Sequence, residues 1–176
     1  MSEPILTSER LTLSELTPAD AAFILELVNE PDFIANIRDA GVRSEADAVG
    51  YIENGPRASY AQHGFGLWRV DERASGQPVG ICGLLKRDWL DDPDIGYAII
   101  ERFRGRGYAV EAARAVMDWG RREKGLRRIV AITSPGNEAS GAVLNRIGLA
   151  PAGEVTAPGA QQPSRLYVWE AGAAAA

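Results

Sequence analysis

The sequence predicts a single α/β domain, on three observations. Strand-like and helix-like patterns succeed one another along the 176 residues in the order β-α-α-β-β-β-α-β-α-β-β. No linker, internal repeat or shift in composition divides them. In the middle, DIGYAIIERFRGRGYAVEAARAVMDWG (94–120) reads as a strand, an arginine- and glycine-rich turn and an alanine-rich helix.

Arg10 to Leu16 alternates apolar and polar residues, as a half-buried strand does. Thr17-Pro18-Ala19-Asp20 opens a helix, with Thr as N-cap, Pro at the first position and Asp at the third. Ala22, Phe23, Leu25, Leu27 and Val28 give that helix an apolar stripe, which stops at Pro31. Ser44-Glu45-Ala46-Asp47 repeats the start signal, and its helical stretch runs toward Gln62 with a break near Gly55-Pro56. Strands at Gly64 to Val70 and Val79 to Lys86 flank Ser75-Gly76, a hairpin signal. After the central strand and helix, Arg128 to Thr133 reads as a strand. A helix then starts at Asn137, a good cap, and stops at Gly148. Two short strands, near 154–157 and 165–169, close the chain. Residues 1–9 and 171–176, the latter reading AGAAAA, are expected to be flexible tails.

Hydrophobic residues make up 45% and charged residues 24%, ordinary values for a domain with a real core. The net charge of -5 argues against general nucleic-acid binding. No stretch approaches the roughly 18 apolar residues of a membrane span, and no basic-then-apolar leader opens the chain. One cysteine, Cys82, rules out an internal disulfide and suits the cytoplasm. With one histidine besides, no metal site is expected. Cys82, in an apolar strand, reads as a buried small hydrophobe.

A glycine turn feeding a helix N-terminus suits a phosphorylated ligand. Unpaired N–H groups and the positive end of the helix dipole both face the turn. A P-loop would need Lys-Ser/Thr after its last glycine, where Tyr108-Ala109 stand. A dinucleotide fingerprint counted from Gly105 would need glycine at Val110. The pattern R/Q-x-x-G-x-G/A does fit, with Arg104, Gly107 and Ala109. It resembles the pyrophosphate loop of the GCN5-related N-acetyltransferases (GNATs), which bind acetyl-coenzyme A. NEASGAVLNRIGLAP (137–151) resembles the next motif of that superfamily through Asn137, Ser140, Val143, Leu144 and Gly148, with Leu149 where Phe is usual. RLTLSELTPADAAFILELVN, GFGLWRV and PVGICGL resemble the RimJ/RimL-type branch, which includes acetyltransferases of ribosomal-protein N-termini.

The resemblance, from about Arg10 to Glu170, implies the GNAT fold. That is a central mixed, twisted sheet of about seven strands flanked by about four helices, its Asp94 and Arg128 strands parallel but splayed. It also implies acetyl-CoA as co-substrate, with direct transfer of the acetyl group to a primary amine, either a protein N-terminus or a small molecule. A catalytically silent acyl-CoA sensor is the alternative. By position, Ile99 and Ile100 would face the pantetheine. Arg104 is the motif arginine, and Gly105, Arg106, Gly107, Tyr108 and Ala109 would bind the pyrophosphate. Asn137 would hydrogen-bond the pantetheine arm. Many relatives carry a tyrosine acid at the position of Leu144; here Ser140, one turn earlier, is the candidate. Asp94 is the candidate base, with Asp88, Asp91, Asp92 and Glu154 behind it, and His63 is read as a surface loop residue. The run Asp88 to Asp92 is a candidate wall of an acceptor cleft. Arg102, Arg104 and Arg106 are expected to draw a phosphate-bearing ligand. Besides acetyl-CoA and the amine acceptor, neither nucleic acid nor membrane is expected as a partner, and the chain would be a monomer or homodimer.

Overall fold

The computed structural model describes residues 3–172. Eight strands form one sheet in the order β1-β2-β3-β4-β5-β6-β8-β7. The elements are β1 (Pro4–Thr7), β2 (Leu11–Ser14), α1 (Ala21–Val28), α2 (Pro31–Asn36), α3 (Glu45–Ile52), α4 (Ala58–His63), β3 (Leu67–Glu72) and β4 (Pro78–Leu85). Then come β5 (Asp94–Ile99), α5 (Tyr108–Glu123), β6 (Arg128–Thr133), α6 (Glu138–Arg146), β7 (Ala150–Val155) and β8 (Ser164–Glu170). All neighbours pair antiparallel except β5 and β6, which makes the sheet mixed.

Four features depart from the sequence reading. Pro4 to Thr7, expected in a tail, is a strand, because Leu6 pairs with Leu13 at the sheet edge. Residues 173–176 of the expected C-terminal tail lie outside the described residues. Pro31, expected to end a helix, also starts α2, since its fixed φ suits a first helical position. The break at Gly55-Pro56 is a single π-helical turn, Glu53–Arg57, between α3 and α4. The helical start at Thr17 is a 3-10 turn, Pro18–Asp20, in which Asp20 accepts the Thr17 N–H at 2.8 Å.

Helix α5 packs on β1, β2, β4 and β5. Its face Ala112, Ala113, Val116 and Met117 is buried against the sheet, as i, i+1, i+4, i+5 spacing requires. Trp68 meets Trp119 edge-on at 4.8 Å, and Gly120 lies close to Leu84 and Ile129. Strand alternation therefore turns Ile95, Tyr97 and Ile99 of β5 toward the α5 side. Asp94, Gly96 and Ala98 face the other side, with Leu67 and Arg69. There Arg69 bridges Asp20 at 2.6 Å, and Tyr60 of α4 donates to the Leu67 carbonyl.

The feature that makes room for a ligand is a tear in the sheet. Strands β5 and β6 touch at one ladder position, Asp94 opposite Val130, with Val130 N–H on the Pro93 carbonyl at 3.0 Å. Strand β6 instead pairs along its whole length with β8. Beyond Asp94 the two parallel strands diverge, which fulfils the splayed arrangement that the resemblance implied.

Candidate active site

A cleft of about 1570 Å³ runs through the tear and past the glycine turn. Drug-sized ligands fill pockets of about 300–1,000 Å³, so this cleft has room for a large ligand and a second reactant. Its walls include Phe33 and Tyr51 on the α1–α4 side, Tyr97 and Ile99 in the tear, and Asn137 and Ser140 on α6.

The turn is built around two left-handed glycines, Gly105 (φ 77°) and Gly107 (φ 81°), the latter the N-cap of α5. A residue with a Cβ is strained in that conformation. Within α5 the first amide to find a carbonyl is Glu111 N–H, on Gly107. Among the described residues, none accepts from the N–H groups of Gly105 through Val110. Six consecutive amides at the positive end of a 16-residue helix are thus left for a ligand.

The turn is held from outside. Arg10 donates to the Arg106 carbonyl at 2.9 Å and lies over the Tyr108 ring at 4.6 Å. Glu111 fixes Arg10 by Nε–H at 2.8 Å and main-chain N–H at 2.9 Å, and takes the Ser8 hydroxyl at 2.6 Å. Burial pushes the Glu111 carboxyl up, but its bonds to Ser8 and Arg10 outweigh that and hold it below the usual range. The Tyr108 hydroxyl donates to Glu72. Sequence reasoning missed Arg10 because an arginine 96 positions from its partner leaves no local signal.

The arginine cluster is not a free cationic patch, contrary to expectation. Arg102 pairs with Glu26. Arg104 meets Glu30 at 2.8 Å and Asp32 at 2.5 Å, and donates to the Ile99 carbonyl at 2.8 Å. Glu30 also accepts the Glu101 N–H at 2.9 Å. Arg104 is therefore a staple between the turn and the α1–α2 corner. Arg106, half exposed and 3.7 Å from Glu72, is the loosest of the three.

In the tear, Ile100 N–H donates to the Val79 carbonyl at 2.8 Å, and the Ile100 carbonyl accepts from Phe103. Ile100 is fully buried, and its main chain is taken up within the fold. Expected beside the ligand, it is instead buried and bonded within the fold. Two-residue alternation points the amides of Tyr97 and Ile99 away from β4, into the tear.

Asn137 caps α6, its Oδ1 accepting Ser140 N–H at 3.2 Å, which leaves its amide N–H₂ for another partner. Ser140 lies beside Tyr97, with hydroxyl oxygens 2.6 Å apart. Leu144, one turn on, is buried and apolar. Asp94 is 1% exposed at the head of β5 and accepts from Arg87 Nε at 3.0 Å. Burial raises its carboxyl, with Arg87 pulling the other way. Asp94 stands on the face of β5 opposite Tyr97, beside which Ser140 lies, so the catalytic candidates Asp94 and Ser140 are on different sides of the strand. Of the 86–92 loop, Lys86, Arg87 and Trp89 line the cleft, whereas Asp92 pairs with Arg128 at 2.9 Å; the expected acidic wall is not formed. Glu154 lies on exposed β7, opposite Arg165. His63, the last residue of α4, stacks on Phe65 at 5.7 Å and borders the cleft instead of lying in an outer loop. Cys82 is buried, and burial pushes its thiol up, against any nucleophilic role.

A family model described as acetyltransferase (GNAT) domain matches residues 10–150. The Bacillus subtilis (strain 168) protein YkkB is 29% identical over 147 residues, which span 82% of this chain and 84% of that protein. An acetyltransferase from Agrobacterium tumefaciens str. C58 superposes with a TM-score of 0.80 at 27% identity, covering 97% of this chain and 96% of that one. RimL, a ribosomal L7/L12 α-N-protein acetyltransferase solved with coenzyme A, has a TM-score of 0.79 and covers 96% of this chain and 98% of its own. At 19% identity it shares the fold.

Proposed function

The chain belongs to the GNAT acetyltransferase family and is an acetyl-CoA-dependent N-acetyltransferase, and we propose that its acceptor is a primary amine of the α-amino type, as in the RimJ/RimL-like branch. The observation that carries the reading is the row of unpartnered amides from Gly105 to Val110 at the mouth of the tear. It fits a diphosphate, whose oxygens accept what those amides donate. Tyr97 and Ile99, with amides turned into the tear, fit a pantetheine arm lying where a strand partner is missing.

Residue by residue, Gly105, Arg106, Gly107, Tyr108 and Ala109 hold the diphosphate by main-chain N–H groups, and Arg106 adds charge. Arg104 shapes the turn and does not touch the ligand. Ile99 and Tyr97 donate to the arm, and Asn137 donates from α6. Acetyl-CoA supplies the activated acyl group. Ser140 offers its hydroxyl to the sulfur that leaves. A thiol of pKa about 8.5 leaves without full protonation, so one hydrogen bond is adequate help.

The α-amino assignment follows from what the site lacks in strong bases. An α-amine of pKa about 8 is roughly one-quarter neutral at pH 7.5, whereas a lysine of pKa about 10.4 is neutral about one time in a thousand. Asp94, buried and tied to Arg87, is suited to steering a cationic amine toward the face of β5 opposite Tyr97, and to accepting its proton through water. The RimJ/RimL-like segments at 10–29, 64–70 and 78–84 support the same branch.

An acceptor screen followed by free-thiol release tests the reading. Thiol should appear only when acetyl-CoA and an amine are both present, and faster with free peptide N-termini than with N-blocked lysine peptides. A thiol burst with acetyl-CoA alone would mean a covalent route. Tight coenzyme binding with no turnover on any amine would mean a sensor.

A further inference from the structure

We propose that Tyr97 is a positioning residue, donating a hydrogen bond to Ser140 Oγ so that the serine's own proton points into the tear, toward the departing sulfur. This rests on the reading that Ser140 serves that sulfur.

The contact joins elements 43 positions apart, strand β5 and helix α6, across the cleft that both residues line. Tyr97 Oη lies 2.6 Å from Ser140 Oγ and 3.1 Å from the Ser140 carbonyl. The carbonyl sits at the third position of the α6 sequence Glu138–Arg146, where the helix already supplies it with the Leu144 amide. Either hydroxyl can donate in the 2.6 Å contact; because the carbonyl already takes the Leu144 amide, the Tyr97 proton is assigned to Oγ. A serine hydroxyl left alone rotates among staggered positions. Accepting from Tyr97 removes the position in which it would donate back. Such fixing of a donor before reaction is what makes it effective.

Tyr97 keeps its proton while doing this. Burial pushes its phenol up to about 12, against a smaller pull from Ser140. The other titratable groups near it are Cys82, opposite on β4, and Tyr167 on β8. Tyr167 presses on Gly141, where a Cβ would lie 2.7 Å from its hydroxyl, so the helix turn carrying Ser140 is held from a second side.

The test uses Tyr97→Phe, Ser140→Ala and the double variant, with two readouts. The first is the pH at which the thiol of bound coenzyme A ionises, followed by thiolate absorbance. The second is kcat beside the KM for acetyl-CoA. Each single variant should raise the thiol's ionisation by about one unit and lower kcat about tenfold, with KM unchanged, and the double should be no worse than either. Tyr97→Phe matching the parent in both readouts, while Ser140→Ala moves both, would overturn the proposal and leave Ser140 acting alone. Parent-like behaviour of Ser140→Ala as well would overturn the role of Ser140 itself. Losses that multiply in the double variant would also overturn it, since the two hydroxyls would then act separately. Should Tyr97→Phe fail to fold, the Tyr97 phenol can be titrated by carbon NMR in the parent and in Ser140→Ala. Its ionisation should move up without the serine, and an unchanged value would overturn the contact.

Discussion

Replacing Gly107 by valine isolates the phosphate turn. The residue sits at φ 81° as the N-cap of α5. An added Cβ would meet only Arg10 Nη2, at 3.4 Å, the far end of a flexible side chain. Sterics with neighbours are thus minor, and the penalty is the backbone's own. If valine keeps the left-handed conformation, the cost is at least about 1–2 kcal/mol. For a chain of this length that lowers Tm by roughly 2–8 °C. If instead the backbone relaxes to negative φ, the peptide planes on either side turn, and the amides of Gly107 and Tyr108 leave the ligand. Two hydrogen bonds to a charged group, at about 1.5–3 kcal/mol each, amount to roughly 3–6 kcal/mol. Coenzyme A affinity then falls by about two to four orders of magnitude. Calorimetric titration with coenzyme A, beside a thermal melt, separates the outcomes. Gly105→Asn is the control: its φ is 77°, its Cβ direction is open, and asparagine tolerates that region, so a smaller loss is expected. A valine variant that melts lower yet binds coenzyme A within about threefold of the parent would refute the assignment of these amides to the diphosphate.

Three further predictions concern the groups around that turn and the cleft. Arg10→Ala frees the Arg106 carbonyl, so the Kd for coenzyme A should rise about three- to tenfold in titration, with little change in the acceptor KM; an unaltered Kd would show that the turn holds its own shape. Glu111→Gln should be less stable than the parent near pH 7. Because the folded carboxyl titrates below its ordinary value, the parent's advantage should fade as pH falls through the carboxylate range, and urea melts between about pH 3 and pH 7 check it. Asp94→Asn should show the opposite sign. The folded carboxyl titrates above its ordinary value, so its contribution is present at low pH and lost as pH rises; the variant should gain on the parent from about pH 4 upward in the same melts.

Much of this molecule is legible in its residues, and the rest is not for identifiable reasons. The strand, turn and helix at 94–120 announce themselves through local spacing, and Asn137, Ser140 and Gly148 mark α6 in the same way. Local signals fail where a residue's partner is distant in sequence. Nothing around Arg104 says that Glu30 and Asp32 will neutralise it, so three arginines read as a phosphate magnet when two of them are ties within the fold. The availability of Ile100 is decided by which side of β5 its amide faces, and only the pairing with Val79 fixes that parity. The Tyr97–Ser140 contact needs a strand and a helix brought together across the cleft. Leu6, in a short segment without clear alternation, became a strand because Leu13 offered an edge.

The tear between β5 and β6 also bears on how long each molecule survives. One ladder position joins the two parts of the sheet there, and beyond it, among the described residues, no ladder pairs the facing edges of β5 and β6. A ligand lying in that gap completes the sheet from outside and binds the native state alone. By mass action, coenzyme at a hundred times its Kd adds about 2.7 kcal/mol against unfolding. Resistance to proteolysis should accordingly rise and fall with the coenzyme supply, tying the abundance of the catalyst to that of its donor.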